Sequence, residues 1–395
     1  MTPAELSRTV LRSVRGAVEE QELSVTVPAR IVVQPPPRPG CGDYASNVAL
    51  QLAKPAGRPA REVAEILRKR LAGSPGIARV EIAGPGFLNF TLGDDAQVAL
   101  VRQVLAQGDG YGDRSVSSGT AGSPRTAAAA GVAASAADSS TRPGPVAAPR
   151  GAAAGAREAV VAEALARIDA AAGVPARTDS HPVSAPPNDA RGPVAPLDPA
   201  DPADLPALLN RLGSDEARWV LLRPAAHDPV RLPERPVQRE SNPRFRVQYA
   251  HARVRALVRN AGELGFSGEP GDVGRSVTEG ASGVPDAVSR RPASGEGAQV
   301  PDAPDRALQG FLTLLATYPS VIEAAARLRA PDRVVRHLEA TADAYFRWHD
   351  VFPPLPAGEH KPLAVHRARL ALAEAGGTVL ANGLRLLGIS APEYL

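Results

Sequence analysis

From Ser115 to about Pro202 the chain is written almost entirely in Ala, Gly, Pro, Ser, Thr and Asp. That stretch limits the fold more than any other feature, because it has too few large apolar side chains to offset the entropy lost on ordering. One continuous core across all 395 residues is excluded. The sequence reads instead as two ordered ends joined by a disordered linker over 113–203, whose root-mean-square span as a flexible coil is about 50 Å. Inside it, Arg157 to Ala172 is alanine-rich with scattered charges and is expected as an isolated helix. A second Pro/Gly/Ser-rich stretch, Gly268 to Pro304, is expected as a disordered insert between helices.

The formal net charge is +3, and lysine occurs only at Lys54, Lys69 and Lys361, so arginine carries nearly all the positive charge. Arginine suits bidentate phosphate contacts, although a GC-rich coding bias raises Arg, Ala, Gly and Pro together and accounts for most of the excess. Cys41 is the single cysteine, which excludes an intrachain disulfide and a thiolate metal cluster. The segment before Val25 has no apolar h-region, and no run of about eighteen apolar residues occurs. A soluble cytoplasmic protein, with no membrane partner, is the expectation.

In the N-terminal part, Ala4 to Glu20 spaces Leu6, Val10, Leu11, Val14 and Val18 as a helix. Val25 to Val33 alternates and is β-branched, which predicts a strand. Gly42-Asp43-Tyr44-Ala45-Ser46-Asn47 is expected to open a helix running to Lys54, and Arg58 to Ala72 forms another. Ile77 to Ala83 and Phe87 to Leu92 read as strands about the turn Gly84-Pro85-Gly86, followed by a helix from Asp94 to Gln107. Residues 1–112 thus make one small α+β domain.

Order resumes at Asp204, with Leu205 to Leu222 as one helix inside a connector over 204–240. Asn242 can cap a long helix running to Asn260, Pro243 suits its first position, and Gly262 stands just past its end. Val247, Ala250, Val254, Leu257 and Val258 fall on one arc of that helix. Arg246, Tyr249 and Arg253 run along one flank, and Gln248, His251, Arg255 and Arg259 along the other. Helical spacing recurs over Arg306–Leu315, Val321–Leu328, Pro331–Val351 and Pro362–Leu386, so 241–395 reads as an all-α bundle.

Asn242 to Arg253 resembles the first helix of the DALR anticodon-binding domain of arginyl-tRNA synthetases. Tyr318-Pro319-Ser320-Val321, Pro331-Asp332-Arg333 and Gly388-Ile389-Ser390-Ala391-Pro392-Glu393 keep that family's order. The N-terminal part is similar to the same family's additional domain through Gly42-Asp43-Tyr44-Ala45-Ser46-Asn47-Val48-Ala49 and Ala83-Gly84-Pro85-Gly86-Phe87-Leu88-Asn89-Phe90. Leu212 to Trp219 resembles the last helix before the anticodon domain. The likeness covers about 1–112 and 204–395.

The family's catalytic core, which lies between those domains, carries a His-x-Gly-His signature and a Lys-Met-Ser-Lys loop. Here no two histidines stand three apart, and Met1 is the only methionine. No P-loop, Rossmann glycine pattern or metal-ligand spacing stands in their place. No catalytic residue, cofactor or metal is therefore expected. What the resemblance implies for nucleic acid falls on Phe87 and Asn89, which alternation puts on one face of a strand and which match the family's contact with a tRNA D-loop base. For the anticodon loop it falls on Arg246, Gln248, Tyr249, His251 and Arg253, and on Trp348 in the long helix Pro331–Val351.

Three readings follow. The first is a non-catalytic relative that binds tRNA. The second is an ATP-dependent arginine–tRNA ligase whose core is supplied in trans. The third is a module reusing both domains to bind a protein partner. The first is the expectation, and oligomeric state stays open.

Overall fold

The computed structural model describes residues 1–36, 42–114, 155–174, 205–233, 239, 241–274, 303–358 and 360–395. Helix α1 (Pro3–Glu19) starts at Thr2, whose hydroxyl accepts the Glu5 N–H at 3.3 Å while the Glu5 carboxylate accepts the Thr2 N–H at 2.8 Å. With α2 (Val48–Ala56) and α3 (Ala60–Leu71) it covers an antiparallel sheet of β1 (Tyr44–Ser46), β2 (Ile77–Ala83) and β3 (Phe87–Leu92), in the order β1-β3-β2. Leu6, Val10, Val14, Val63, Leu67, Leu88 and Phe90 are fully buried between these layers.

Two expectations change here. Val25–Val33 is not a strand: the segment is irregular, and an isolated bridge, Gln34 to Ala45, forms only just after it. Pro28 lies inside it and lacks the N–H a ladder needs. Tyr44–Ser46 is a strand rather than a helix start. The preceding Asp43 fixes it, because its N–H donates to Phe90 O at 2.7 Å and its carboxylate accepts the Leu92 N–H at 2.6 Å.

The second body is helical: α4 (Asp94–Gln107), α5 (Ala156–Ala171), α6 (Leu205–Leu212), α7 (Ser214–Leu222), α8 (Pro243–Glu263), α9 (Ala303–Leu328), α10 (Asp332–Val351) and α11 (Ala364–Leu387). Gly213, at φ +77°, separates α6 from α7 where one helix was expected. Pro319 sits inside a continuous α9 where two were expected. Helix α11 forms the centre, and its glycines let neighbours close in: a Cβ on Gly377 would lie 2.7 Å from Val254 of α8.

Helix α4 belongs to this body. Its Leu100, Val101 and Val104 join the bundle's core, and the following Tyr111 donates its hydroxyl to Leu315 O at 2.9 Å. The two ordered ends are therefore in direct contact.

Helix α5 is the largest departure. It was expected to stand alone in a linker, and instead it is docked on α7, α9 and α11 with Val160, Ala164 and Ile168 buried. Alanine supplies this contact, since small side chains let helices approach closely and count little in a hydrophobicity scan. Arg157 anchors one end by donating to the carbonyls of Pro224 (2.9 Å), Ala225 (2.6 Å) and Asp228 (3.0 Å) beyond α7. At the other end Asp169 pairs with Arg329, just past the end of α9, at 2.5 Å. The remainder of 113–203, apart from Asp113, Arg114 and the turns flanking α5, lies outside the described residues. The start of the expected insert is ordered: Val273 is buried and the backbone at Gly268 lies against Ala371 of α11, while residues 275–302 lie outside the described residues.

Candidate nucleic-acid interface

Helix α8 presents both flanks anticipated from its sequence, and the structure gives them different work. Along one, Gln248 Nε2 donates to Ser390 O (2.9 Å) and Asp215 Oδ2 (2.9 Å), and His251 Nδ1 lies 3.0 Å from Pro392 O. Arg255 pairs with Glu393 at 2.7 Å, and the Arg259 guanidinium sits 4.2 Å from the centre of the Tyr394 ring. The segment after α11 thus straps this flank shut. Gln248 is 2% and His251 6% exposed, so neither presents a polar group to an outside ligand. Burial pushes the His251 pKa below its ordinary value, which favours the neutral ring that donates to Pro392.

Behind Gln248 lies a buried polar network. Arg244 pairs with Glu216 at 2.5 Å and donates to Gln248 Oε1, while Asn242 donates to Glu216 at 2.8 Å. The network holds α7 to α8, which gives the Leu212–Trp219 phrase a structural purpose.

The other flank is open. Phe245 and Tyr249 stack at 6.0 Å between centroids with 4° between planes, and Tyr249 stacks on Phe346 of α10 at 5.7 Å. All three rings are half-buried. Arg246 pairs with Asp343 at 2.6 Å while its guanidinium lies 4.9 Å from the Phe346 centroid. It is therefore a held side chain beside the rings. Arg253 is exposed and donates to the Tyr249 hydroxyl at 3.3 Å, and Arg347 is exposed beside Phe346 in the chain.

Trp348 is placed differently from the expectation. It is fully buried, stacked on Phe311 at 5.3 Å, and unable to meet a base at the surface. The spacing of Val334, Leu338, Thr341, Tyr345 and Trp348 puts it on the core stripe of α10, and two residues earlier, some 200° around the helix, Phe346 comes out on the flank. Phe245, Phe346 and Arg347 were missed, and that helical wheel was the signal for the last two.

In the N-terminal domain, Leu88 and Phe90 face the core, so Phe87 and Asn89 share the opposite face. Phe87 is 41% exposed. Asn89, in the central strand opposite Ala45 and Glu81, is 8% exposed and offers little of its amide. Among the described residues no group of three or more His, Cys, Asp or Glu is arranged to hold a metal, and no helix is long and apolar enough to cross a membrane.

Comparison with known proteins agrees with this architecture. The family model for the arginyl tRNA synthetase N terminal domain matches residues 8–92, and that for the DALR anticodon binding domain matches 296–395. The arginine–tRNA ligase of Frankia alni is 30% identical in an alignment that takes in all of both chains. That of Paenarthrobacter aurescens is 41% identical over 194 residues, which is 49% of this chain and 30% of the relative. The solved arginyl-tRNA synthetase of Thermus thermophilus shares the fold with a TM-score of 0.54 over the whole of both chains, at 14% identity. The chain belongs to the arginyl-tRNA synthetase family.

Proposed function

We propose that this chain binds tRNA through its DALR and N-terminal domains and does not itself charge it. The observation that carries the binding half is the open stack of Phe245, Tyr249 and Phe346 beside Arg253 and Arg347. RNA loops are held by stacking unpaired bases on aromatic rings and by arginine contacts to phosphate. The non-catalytic half is supported by sequence, which lacks the paired histidines and the methionine of the two signatures. It is supported further by the Frankia alignment, which runs over 594 columns against 395 residues here and so leaves 199 columns with no residue of this chain.

The test of the binding half is titration of labelled tRNA with the purified chain at low salt. Tyr249→Ala and Phe346→Ala are each expected to weaken binding by about 5- to 100-fold, the value of one stacked base. Wild-type affinity in both variants moves the site elsewhere, and no binding by the wild-type chain overturns the tRNA reading. The competing reading is arginine–tRNA ligation, which the names of the relatives favour; it requires arginine-dependent ATP–pyrophosphate exchange.

A further inference from the structure

A cavity of about 530 Å³ opens where four pieces of the helical body meet: the turn 109–113, α5, α9 and α11. Its walls are fixed by the chain itself. Asn382 of α11 donates to Gly108 O at 2.9 Å, and Arg385 donates to Asp109 O. The Arg114 N–H donates to the carbonyl of Ala171, the last residue of α5, at 2.7 Å. Gly112, at φ +88°, lets the turn lie against α9, since a Cβ there would stand 2.7 Å from Ile322 and 2.9 Å from Tyr318. The space has the size of a small-molecule site, and it exists before any ligand arrives.

Its chemistry is divided. Tyr318, Ile322 and Leu386 give it a buried apolar side. Arg167 of α5 and Arg385 of α11 line it from two packed helices, and both are partly exposed. The Arg167 guanidinium lies against Gly388, three residues beyond Arg385, so both cations sit at the same end of α11. Neither is fully matched. Glu163 stands 2.8 Å from Arg218 but 3.6 Å from Arg167, and Asp109 stands 3.6 Å from Arg385. A separation of 3.6 Å is beyond hydrogen-bond reach. In these pairs three cations, Arg167, Arg218 and Arg385, share two carboxylates, which leaves one positive charge over. Arg167 Nη1 is also enclosed with no acceptor among the described residues, so its guanidinium lacks compensation for the water it has lost. Asp113, the other carboxylate of the lining, is already engaged.

We propose that this cavity binds a small organic oxyanion, a carboxylate or phosphate monoester with a short apolar or aromatic body. Its oxygens lie between Arg167 and Arg385, whose N–H groups suit either headgroup. Its body lies over Tyr318, Ile322 and Leu386. Such a ligand bridges α5 to α11 and fastens the helix whose docking the sequence does not announce. The site is separate from the aromatic surface on α8 and α10 and does not depend on the tRNA reading.

The test is isothermal titration of the full chain with benzoate and with phenyl phosphate, beside benzamide, which keeps the ring and lacks the charge. At least one anion is expected to bind wild type, and the tighter of the two identifies the headgroup. Benzamide is expected to bind about tenfold more weakly or worse, the value of a hydrogen bond to a charged group. Arg167→Gln and Arg385→Gln are each expected to lose about tenfold in affinity for the anion. Because these arginines also brace the fold, a third variant leaves them in place: Ala170→Leu fills the cavity from an exposed position on α5. It is expected to abolish binding with an unchanged melting temperature. Failure of both anions to bind wild type overturns the proposal. Benzamide binding as tightly as the anions overturns it too, because the cavity is then an apolar cleft with no use for its arginines. Anion binding that survives Ala170→Leu, or survives both arginine variants, lies elsewhere on the chain and has the same consequence.

Discussion

His251 Nδ1 lies 3.0 Å from the carbonyl oxygen of Pro392, and this bond is the middle of a strap that fastens residues 390–394 along α8. A histidine that the family resemblance assigns to RNA contact is thereby committed to holding the chain's own backbone. His251→Ala is expected to cost about 1–2 kcal/mol of stability through the lost bond and the small void. Its tRNA affinity, measured where the fold is intact, is expected to stay near wild type. A large affinity loss without any loss of stability contradicts this assignment.

The Arg244–Glu216 pair predicts a larger effect. Both residues are buried, at 8% and 5% exposure, so Arg244→Ala leaves a carboxylate in the interior with Asn242 as its remaining donor among the described residues. Loss of one partner of a buried pair typically costs about 3–5 kcal/mol. Denaturant unfolding measures this directly; a cost below about 1 kcal/mol, the value of a surface pair, contradicts the burial.

Stability is also expected to fall with acid. Burial holds the His337 pKa down to about 4, against an ordinary 6.5, and burial lowers His251 and His349 as well. Between those values the unfolded chain binds more protons than the folded one, so stability rises with pH across that window. The contribution is complete above about 6.5 and drains away as pH falls toward 4, with up to about 3 kcal/mol from His337. Asp43 and Glu374, raised by burial, work in the opposite sense. The histidine share is therefore read by comparing melting temperatures of wild type and His337→Gln between pH 7 and 4.5. The variant is expected to show the shallower decline, and parallel curves contradict the assignment.

Helix α5 supplies a prediction that composition alone would never suggest. Ala164 is fully buried where α5 packs into the helical body, so Ala164→Asp places an unpaired carboxylate in the seam. A loss of at least about 2 kcal/mol is expected in thermal or denaturant unfolding. If the Ala-rich stretch were an undocked linker, the substitution would change nothing.

Much of this fold was legible because long amphipathic helices write their period plainly. Leu6, Val10 and Val14, or Val247, Ala250 and Val254, name their buried faces without help. Short and small-residue elements were not legible. The strand Tyr44–Ser46 exists because Asp43 is bonded to Phe90 and Leu92, residues almost fifty positions away. Helix α5 docks through Val160, Ala164 and Ile168 in a sequence that reads as low complexity. The flanks of α8 were correctly divided, but which one is open depends on Ser390, Pro392 and Glu393, and no local pattern carries that information. Trp348 was placed in the interface by resemblance, whereas the spacing of α10 puts it in the core and brings Phe346 to the surface.

The central claim is a tRNA-binding surface separated from tRNA charging. The most direct measurement is arginine-dependent ATP–pyrophosphate exchange, with tRNA present, on the same preparation whose tRNA affinity has been determined. The account predicts binding that Tyr249→Ala and Phe346→Ala weaken, together with exchange no higher than a blank without protein. Exchange that requires arginine and scales with the concentration of this chain alone would contradict it, and would establish an arginine–tRNA ligase.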